Sequence, residues 1–135
     1  MIAAVALLAV ACNKNQSAVK KLDGNWNVTS LVVTEDGSSI DFIESGFITS
    51  ASIMFEGCKL KDDEFCSMTT TTTTDFGSNT ESDVYAVTDD GQTLQTKDEE
   101  ESSEIETIEI VELTKTDCKL KQVDGDTTTE MTLEK

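Results

Sequence analysis

From Trp26 onward the chain repeats one pattern, and this pattern limits the folds that are open to it. Short stretches in which apolar and polar residues alternate are separated, about every 8 to 12 residues, by turn signals such as Asp-Gly. The last stretch is the clearest, because Thr129, Met131 and Leu133 alternate with polar residues. The pattern predicts an all-β fold, a small antiparallel up-and-down barrel of about eight strands. Such a barrel is either filled by side chains or holds one small ligand.

Two segments interrupt the alternation. Residues 39–50 fit a short helix or an irregular strand over the barrel mouth. In residues 103–113, Ser103 and Glu106 have the spacing of a helix capping box, whereas the many β-branched residues favour a strand. We expect the strand, with a bulge near Ile110.

The acidic composition excludes several functions. The formal net charge is -17, with 10 basic residues and no His. Nucleic acid is therefore not an expected partner, because its binding depends on Lys and Arg that neutralise phosphates. A nucleophile–His pair cannot be built, and carboxylate pairs are too common here to indicate a site, so we expect no enzymatic activity.

Metal sites are not expected either, and no pattern points to a cofactor. The acidic segments 89–90, 98–101 and 124–126 lack the spacing of a calcium loop and fit solvated turns better. The cysteines after Cys12 have no paired spacing of the kind that binds zinc.

The N-terminus predicts export. Residues 2–11 are ten consecutive apolar residues, about half the length that a membrane-spanning helix needs, and Cys12 follows them directly. Ala9 and Ala11 supply the small residues of a signal-peptidase site. We therefore expect a signal peptide at 1–11, a lipidated N-terminus and polar tether at 12–20, and one barrel domain at 21–135. The alternative is a buried N-terminal strand or helix that contains Cys12.

Residues 8–12 resemble the lipobox of bacterial lipoproteins, in which lipid is attached to the Cys and cleavage precedes it. The resemblance implies that Cys12 carries several acyl chains, which together anchor a protein stably in a membrane. Asn13 follows the Cys, where Asp is the inner-membrane retention signal of enteric lipoproteins. We therefore expect a lipid-anchored protein of the bacterial cell envelope, located at the outer membrane.

The remaining cysteines predict one disulfide and one buried thiol. Cys58 and Cys66 flank a predicted hairpin, and a three-residue turn at 61–63 would place them opposite each other. An exported protein meets an oxidising compartment, so we expect these two to form a disulfide. Cys118 alternates with Leu120 and is expected to be a small buried apolar residue, the alternative being a reactive thiol.

Gly24 and Trp26, within residues 22–28, resemble the Gly-X-Trp signature at the first strand of lipocalins and other calycins. The closing stretch from Ile110 to Leu133 is similar to the paired final strands of lipocalin-like domains in Bacteroidetes lipoproteins. The resemblance implies that Trp26 packs at the closed end of the barrel under a basic side chain, either Lys121 or Lys135.

The resemblance also implies a function. We expect a monomeric binding protein that takes one small apolar ligand into the barrel, with Phe47, Phe55, Tyr85 and Met131 as candidates for the wall of the ligand site. The alternative is an interaction or structural envelope lipoprotein with a filled barrel that acts through its acidic exterior or its mouth loops.

Overall fold

The computed structural model describes residues 14–60, 65–98 and 104–135. The predicted signal peptide, Cys12 and Ser103 lie outside these residues. The described chain forms one helix, α1 (residues 14–22), followed by nine strands. The strands are β1 (Gly24–Glu35), β2 (Ser38–Asp41), β3 (Ser50–Phe55), β4 (Cys66–Thr74), β5 (Gly77–Thr88), β6 (Thr93–Asp98), β7 (Glu106–Leu113), β8 (Asp117–Asp124) and β9 (Thr127–Glu134).

Eight of these strands form a closed antiparallel barrel, as the sequence predicts. Neighbouring strands pair in the order β1-β3-β4-β5-β6-β7-β8-β9, and β9 closes the ring by pairing with β1. The short strand β2 is additional, since it folds back onto the second half of β1. Two-residue turns join β4 to β5 and β8 to β9, and Asp89 and Asp90 both have positive φ at the β5–β6 turn.

Two irregularities bend the barrel wall. The register between β1 and β9 shifts between Val28 and Ser30, and the register between β7 and β8 shifts between Ile110 and Glu112. A bulge of this kind adds one residue to a strand and increases its twist. Residues 106–113 therefore form the strand with a bulge near Ile110 that the β-branched composition predicts.

Alternation along each strand sends one set of side chains into the barrel, and at one end this set is fully packed. We call this the closed end. It lies where β1, β4, β6 and β8 begin, and α1 covers it. The largest side chains with less than 2 % exposure are Trp26, Tyr85, Phe55, Leu22, Leu94, Leu133, Val19, Cys66 and Cys118.

Helix α1 corrects one expectation. Residues 14–20 were expected to belong to a polar tether, but they form part of α1, and Ala18 and Val19 lie in the core together with Leu22. These three residues share one helical face. The apolar stripe is short and is surrounded by polar residues, so the sequence pattern does not indicate a helix here. Gln16 holds the neighbouring loop, because its Nε2 donates to the carbonyl of Cys58 (2.8 Å) and its Oε1 accepts from the amide of Leu60 (3.0 Å).

The opposite, open end carries the interrupted segment 39–50. It contains β2 and a series of turns rather than a helix. Asp41 organises it: one carboxylate oxygen accepts from the Ser30 hydroxyl (2.7 Å), and the other accepts from the amides of Ile43 (2.9 Å) and Glu44 (3.2 Å). These bonds, the one from Ser30 above all, lower the pKa of the Asp41 carboxyl below its usual value. Among the described residues, no helix is both long enough and apolar enough to cross a bilayer.

Candidate functional site

The deep part of the barrel lumen is filled by aromatic side chains. Phe55 and Tyr85 meet edge to face, with 5.1 Å between ring centroids, and are 1 % and 0 % exposed. The Tyr85 hydroxyl donates to the carbonyl of Glu56 at 3.0 Å. Burial, followed by the charges of Asp23 and Glu56, raises the pKa of Tyr85 well above its usual value, so the phenol stays neutral.

Trp26 seals the closed end beneath a lysine. Its Nε1 donates to the carbonyl of Leu22 at 2.7 Å, and the Nζ of Lys135 lies 4.9 Å from its ring centroid. The same ammonium donates to the carbonyls of Asp23 (2.7 Å) and Lys21 (3.0 Å). Of the two basic residues implied by the resemblance, Lys135 is therefore the one that caps Trp26.

Gly24 makes room for this cap. It has φ +126°, in a region that side chains rarely adopt, and a Cβ there would lie 3.2 Å from Cε of Lys135. The Gly-X-Trp signature is thus a packing motif that joins the start of β1 to the end of the chain.

Above the packed end, the lumen face of the β4–β5 hairpin forms a cavity of about 250 Å³. We call it the hairpin pocket, and it is lined by Thr70, Thr72, Thr74, Gly77, Asn79 and Glu81. These residues share the inward parity of Met68 and Tyr85, which are buried in the core. Thr70 pairs with Glu81 and Thr72 pairs with Asn79 across the two strands.

The two faces of this hairpin treat their hydroxyls differently. On the outer face, Thr71 lies 3.3 Å from the hydroxyl of Thr80, and Thr73 lies 2.9 Å from that of Ser78, so these hydroxyls bond across the strands. On the inner face, the hydroxyls of Thr70 and Thr72 have no hydrogen bond to any described part of the chain. They are therefore available to a ligand.

The opposite side of the lumen is less polar. Met131 faces inward on β9, paired with Leu31 of β1 and Leu120 of β8, and both Met131 and Leu31 are partly buried against the core. In the ring of eight strands, β9 lies four places from β5. The open half of the lumen therefore has a hydroxyl-rich wall on one side and an aliphatic wall on the other.

The lysines of the barrel strands do not enter this half. Lys97 alternates with the inward residues of β6 and lies over the ring of Phe65, 4.3 Å from its centroid. Lys119 and Lys121 alternate with the inward residues of β8, and Lys119 pairs with Glu112 at 3.8 Å. The charged group that lines the hairpin pocket is the carboxylate of Glu81.

The four predicted wall residues do not form one site. Phe55 and Tyr85 are buried in the packed closed end, and Met131 lies on the wall opposite β5. Phe47 is 63 % exposed in the turns after β2, with its ring 5.9 Å from that of Phe42. The hairpin pocket was missed because six successive threonines show no alternation, although counting in steps of two from Met68 would have placed three of them inside.

Three cysteines, Cys58, Cys66 and Cys118, follow the predictions, with one change in geometry. Cys58 and Cys66 form a disulfide with a Cα–Cα distance of 5.5 Å. Cys58 stands three residues after the end of β3, so the bond joins a loop to β4 rather than two opposed strand positions. The turn expected at 61–63 lies outside the described residues. Cys118 is buried, and this burial raises the pKa of its thiol to about 12.

Other concavities lie outside the barrel. A groove of about 300 Å³ runs across the outer face of β7–β9, between Glu109, Lys119, Lys121 and Glu130. Another, of about 260 Å³, lies between α1 and the end of β7. Within residues 14–60, 65–98 and 104–135, no three Cys, Asp or Glu side chains are grouped as metal ligands would be.

Solved structures share this architecture. The siderocalin Ex-FABP, described as functioning through dual ligand specificities, is similar over 84% of this chain and 72% of its own, with TM-score 0.54 and 18% identity. Lipocalin 12 from rat epididymis is similar over 85% of this chain and 65% of its own, with TM-score 0.55 and 17% identity.

A lipocalin-like protein from Bacteroides uniformis matches 82% of this chain and 96% of its own, with TM-score 0.49 and 15% identity. No protein-family model matches the sequence, and neither does any curated protein. The similarity to the siderocalin Ex-FABP and to lipocalin 12 establishes the fold, which is lipocalin-like, and at these identities it leaves function to the site itself.

Proposed function

We propose that this protein is a lipid-anchored lipoprotein of the bacterial envelope, at the outer membrane, and that it acts by binding one small ligand in the open half of its barrel rather than by catalysis. The observation that carries the binding function is the difference between the two ends of the lumen. Trp26, Phe55 and Tyr85 fill the closed end, whereas the inward hydroxyls of Thr70 and Thr72 in the hairpin pocket lack partners in the described chain.

The packed end limits where a ligand can lie. A ligand seated between Phe55 and Tyr85 would have to separate two rings that are almost fully buried. A ligand seated above them would meet the hairpin pocket on one side and Met131 on the other. The aliphatic side chains of Met131 and Leu31 can contact the apolar part of such a ligand, in line with the apolar ligand expected from the sequence.

The lipid anchor is supported by the apolar run and Cys12 in the sequence. Its test is the mass of the N-terminal peptide of protein purified from its own membrane. We expect a chain that begins at Cys12 and carries a diacylglyceryl group and an amide-linked acyl chain, with Cys12→Ser released from the membrane fraction. An unmodified N-terminus that starts before residue 12 would refute the anchor.

The ligand is tested on the same purified protein, which we expect to be monomeric. Native mass spectrometry should show a small molecule that leaves on denaturation, and amide chemical shifts around Thr70 and Glu81 should change when it is stripped. A mass equal to that of the lipidated chain, with unchanged shifts after delipidating extraction, would contradict ligand binding.

The packed end also favours a second candidate, a structural or interaction lipoprotein whose barrel is filled. Its distinguishing outcome is a lumen that accepts no small molecule at all, while the acidic exterior or mouth loops bind another envelope component. Exposed Phe47 belongs to such a mouth loop.

A further inference from the structure

We propose that the hairpin pocket binds the ammonium group of a small primary amine, whose aliphatic part lies against the opposite wall of the lumen. This inference rests on the proposed function, since it names the chemical class of ligand for the same lumen.

The pocket offers hydrogen-bond acceptors in the number that an ammonium group needs. A primary ammonium has three N–H donors and no acceptor. The carboxylate of Glu81 and the hydroxyl oxygens of Thr70 and Thr72 face the same cavity. The Nδ2 of Asn79 lies 3.5 Å from Oε1 of Glu81, which leaves the second carboxylate oxygen for a ligand.

The same chemistry rejects anions. A carboxylate or phosphate ligand would place its charge beside Glu81, while Lys97 and Lys121 lie on strands whose alternation turns them outward. The net charge of -17 acts in the same direction at long range, because a strongly acidic protein attracts cations to its clefts.

The rest of the ligand is set by size and by the facing wall. A cavity of about 250 Å³ lies below the range of about 300–1,000 Å³ that is usual for drug-sized ligands, so it suits a head group rather than a whole large molecule. Met131, four strands around the ring from β5, and Leu31 beside it offer aliphatic contacts to a short chain.

The test uses three probes of equal length: hexylamine, hexanol and hexanoate, each titrated into the full protein at pH 7 while amide chemical shifts are recorded. We expect hexylamine to bind most tightly and to shift the amides of Thr70, Thr72 and Glu81. Glu81→Gln should weaken it about fivefold, the upper end of what losing an exposed ion pair costs. The matched control Glu130→Gln, on the outer face of β9, removes the same charge and should change affinity less than twofold.

A second matched pair covers the hydroxyls. Thr72→Val removes an inward hydroxyl and Thr71→Val an outward one, so only Thr72→Val should weaken hexylamine, by about threefold. Equal effects of Glu81→Gln and Glu130→Gln would overturn the inference, because they would mean attraction by net charge alone.

The failures of the two proposals are distinguishable. If hexanol or hexanoate binds in the lumen at least as tightly as hexylamine, the amine class is wrong and lumen binding stands. If none of the three probes shifts lumen amides up to its solubility limit, lumen binding and the amine class are both overturned.

Discussion

Replacing Lys135 with Met tests whether the cap over Trp26 stabilises the barrel. The change keeps the aliphatic stem and removes the ammonium, which lies 4.9 Å from the indole and donates to two carbonyls at 2.7 and 3.0 Å. An exposed cation–π contact contributes about 0.5–1 kcal/mol, and each hydrogen bond about 0.5–1.5 kcal/mol. We expect the free energy of unfolding to fall by about 2 kcal/mol.

Urea unfolding is the assay, and Trp26 provides the signal because it is the only Trp in the chain and is 0 % exposed. With an m value of about 2 kcal/mol/M, the midpoint should fall by about 1 M. Lys135→Arg keeps the cation and should lose less than half as much. Lys119→Met, which removes only an exposed ion pair at 3.8 Å, should cost under about 0.5 kcal/mol. A midpoint for Lys135→Met equal to that of Lys119→Met would refute the stabilising role of the cap.

Three further measurements test other parts of the structure. Replacing Cys58 and Cys66 with Ser opens a loop of sequence separation 8. In urea unfolding, the free energy of unfolding should be lower by about 2–3 kcal/mol than that of the oxidised wild type. The pKa of Cys118 is about 12 in the folded state and near 9 in the unfolded state. The stability that depends on the neutral thiol is therefore complete below about pH 9 and is lost as the pH rises from about 9 to about 12. Cys118→Ala should flatten this part of the stability–pH curve. Thr72→Val should raise stability by about 0.5–1 kcal/mol because it buries more apolar surface and breaks no protein hydrogen bond, whereas Thr71→Val should not.

Alternation predicted the barrel well because it is a property of single strands. Cys118 and Leu120 are spaced by two, and both are buried, as is Leu133 at the end of the predicted alternation in β9. The strand at 106–113 was likewise predictable, since β-branched residues suit a pleated surface and the capping-box spacing alone could not outweigh them.

The predictions were wrong where tertiary contacts determine the conformation of a segment or the position of a side chain. Nothing in the polar surroundings of Ala18 and Val19 indicates that a barrel end needs covering, so α1 was mistaken for a tether. Phe47 does not line the lumen as expected, because its position depends on the turns after β2. Asp41 fixes these turns through hydrogen bonds that produce no periodic pattern in the sequence.

Strand β4 explains how one barrel is packed at one end and open at the other. Its inward residues change from Cys66 and Met68, both buried, to Thr70 and Thr72, which are half-buried. Threonine keeps the β-branched shape that a strand favours while presenting a hydroxyl, so the strand continues although its apolar packing ends. The wall can therefore extend beyond the core at little cost in stability, and the added length carries polar groups that the closed end could not bury without partners. The difference between the packed closed end and the open end therefore follows from the residue types along the inner face of β4 and requires no conformational change.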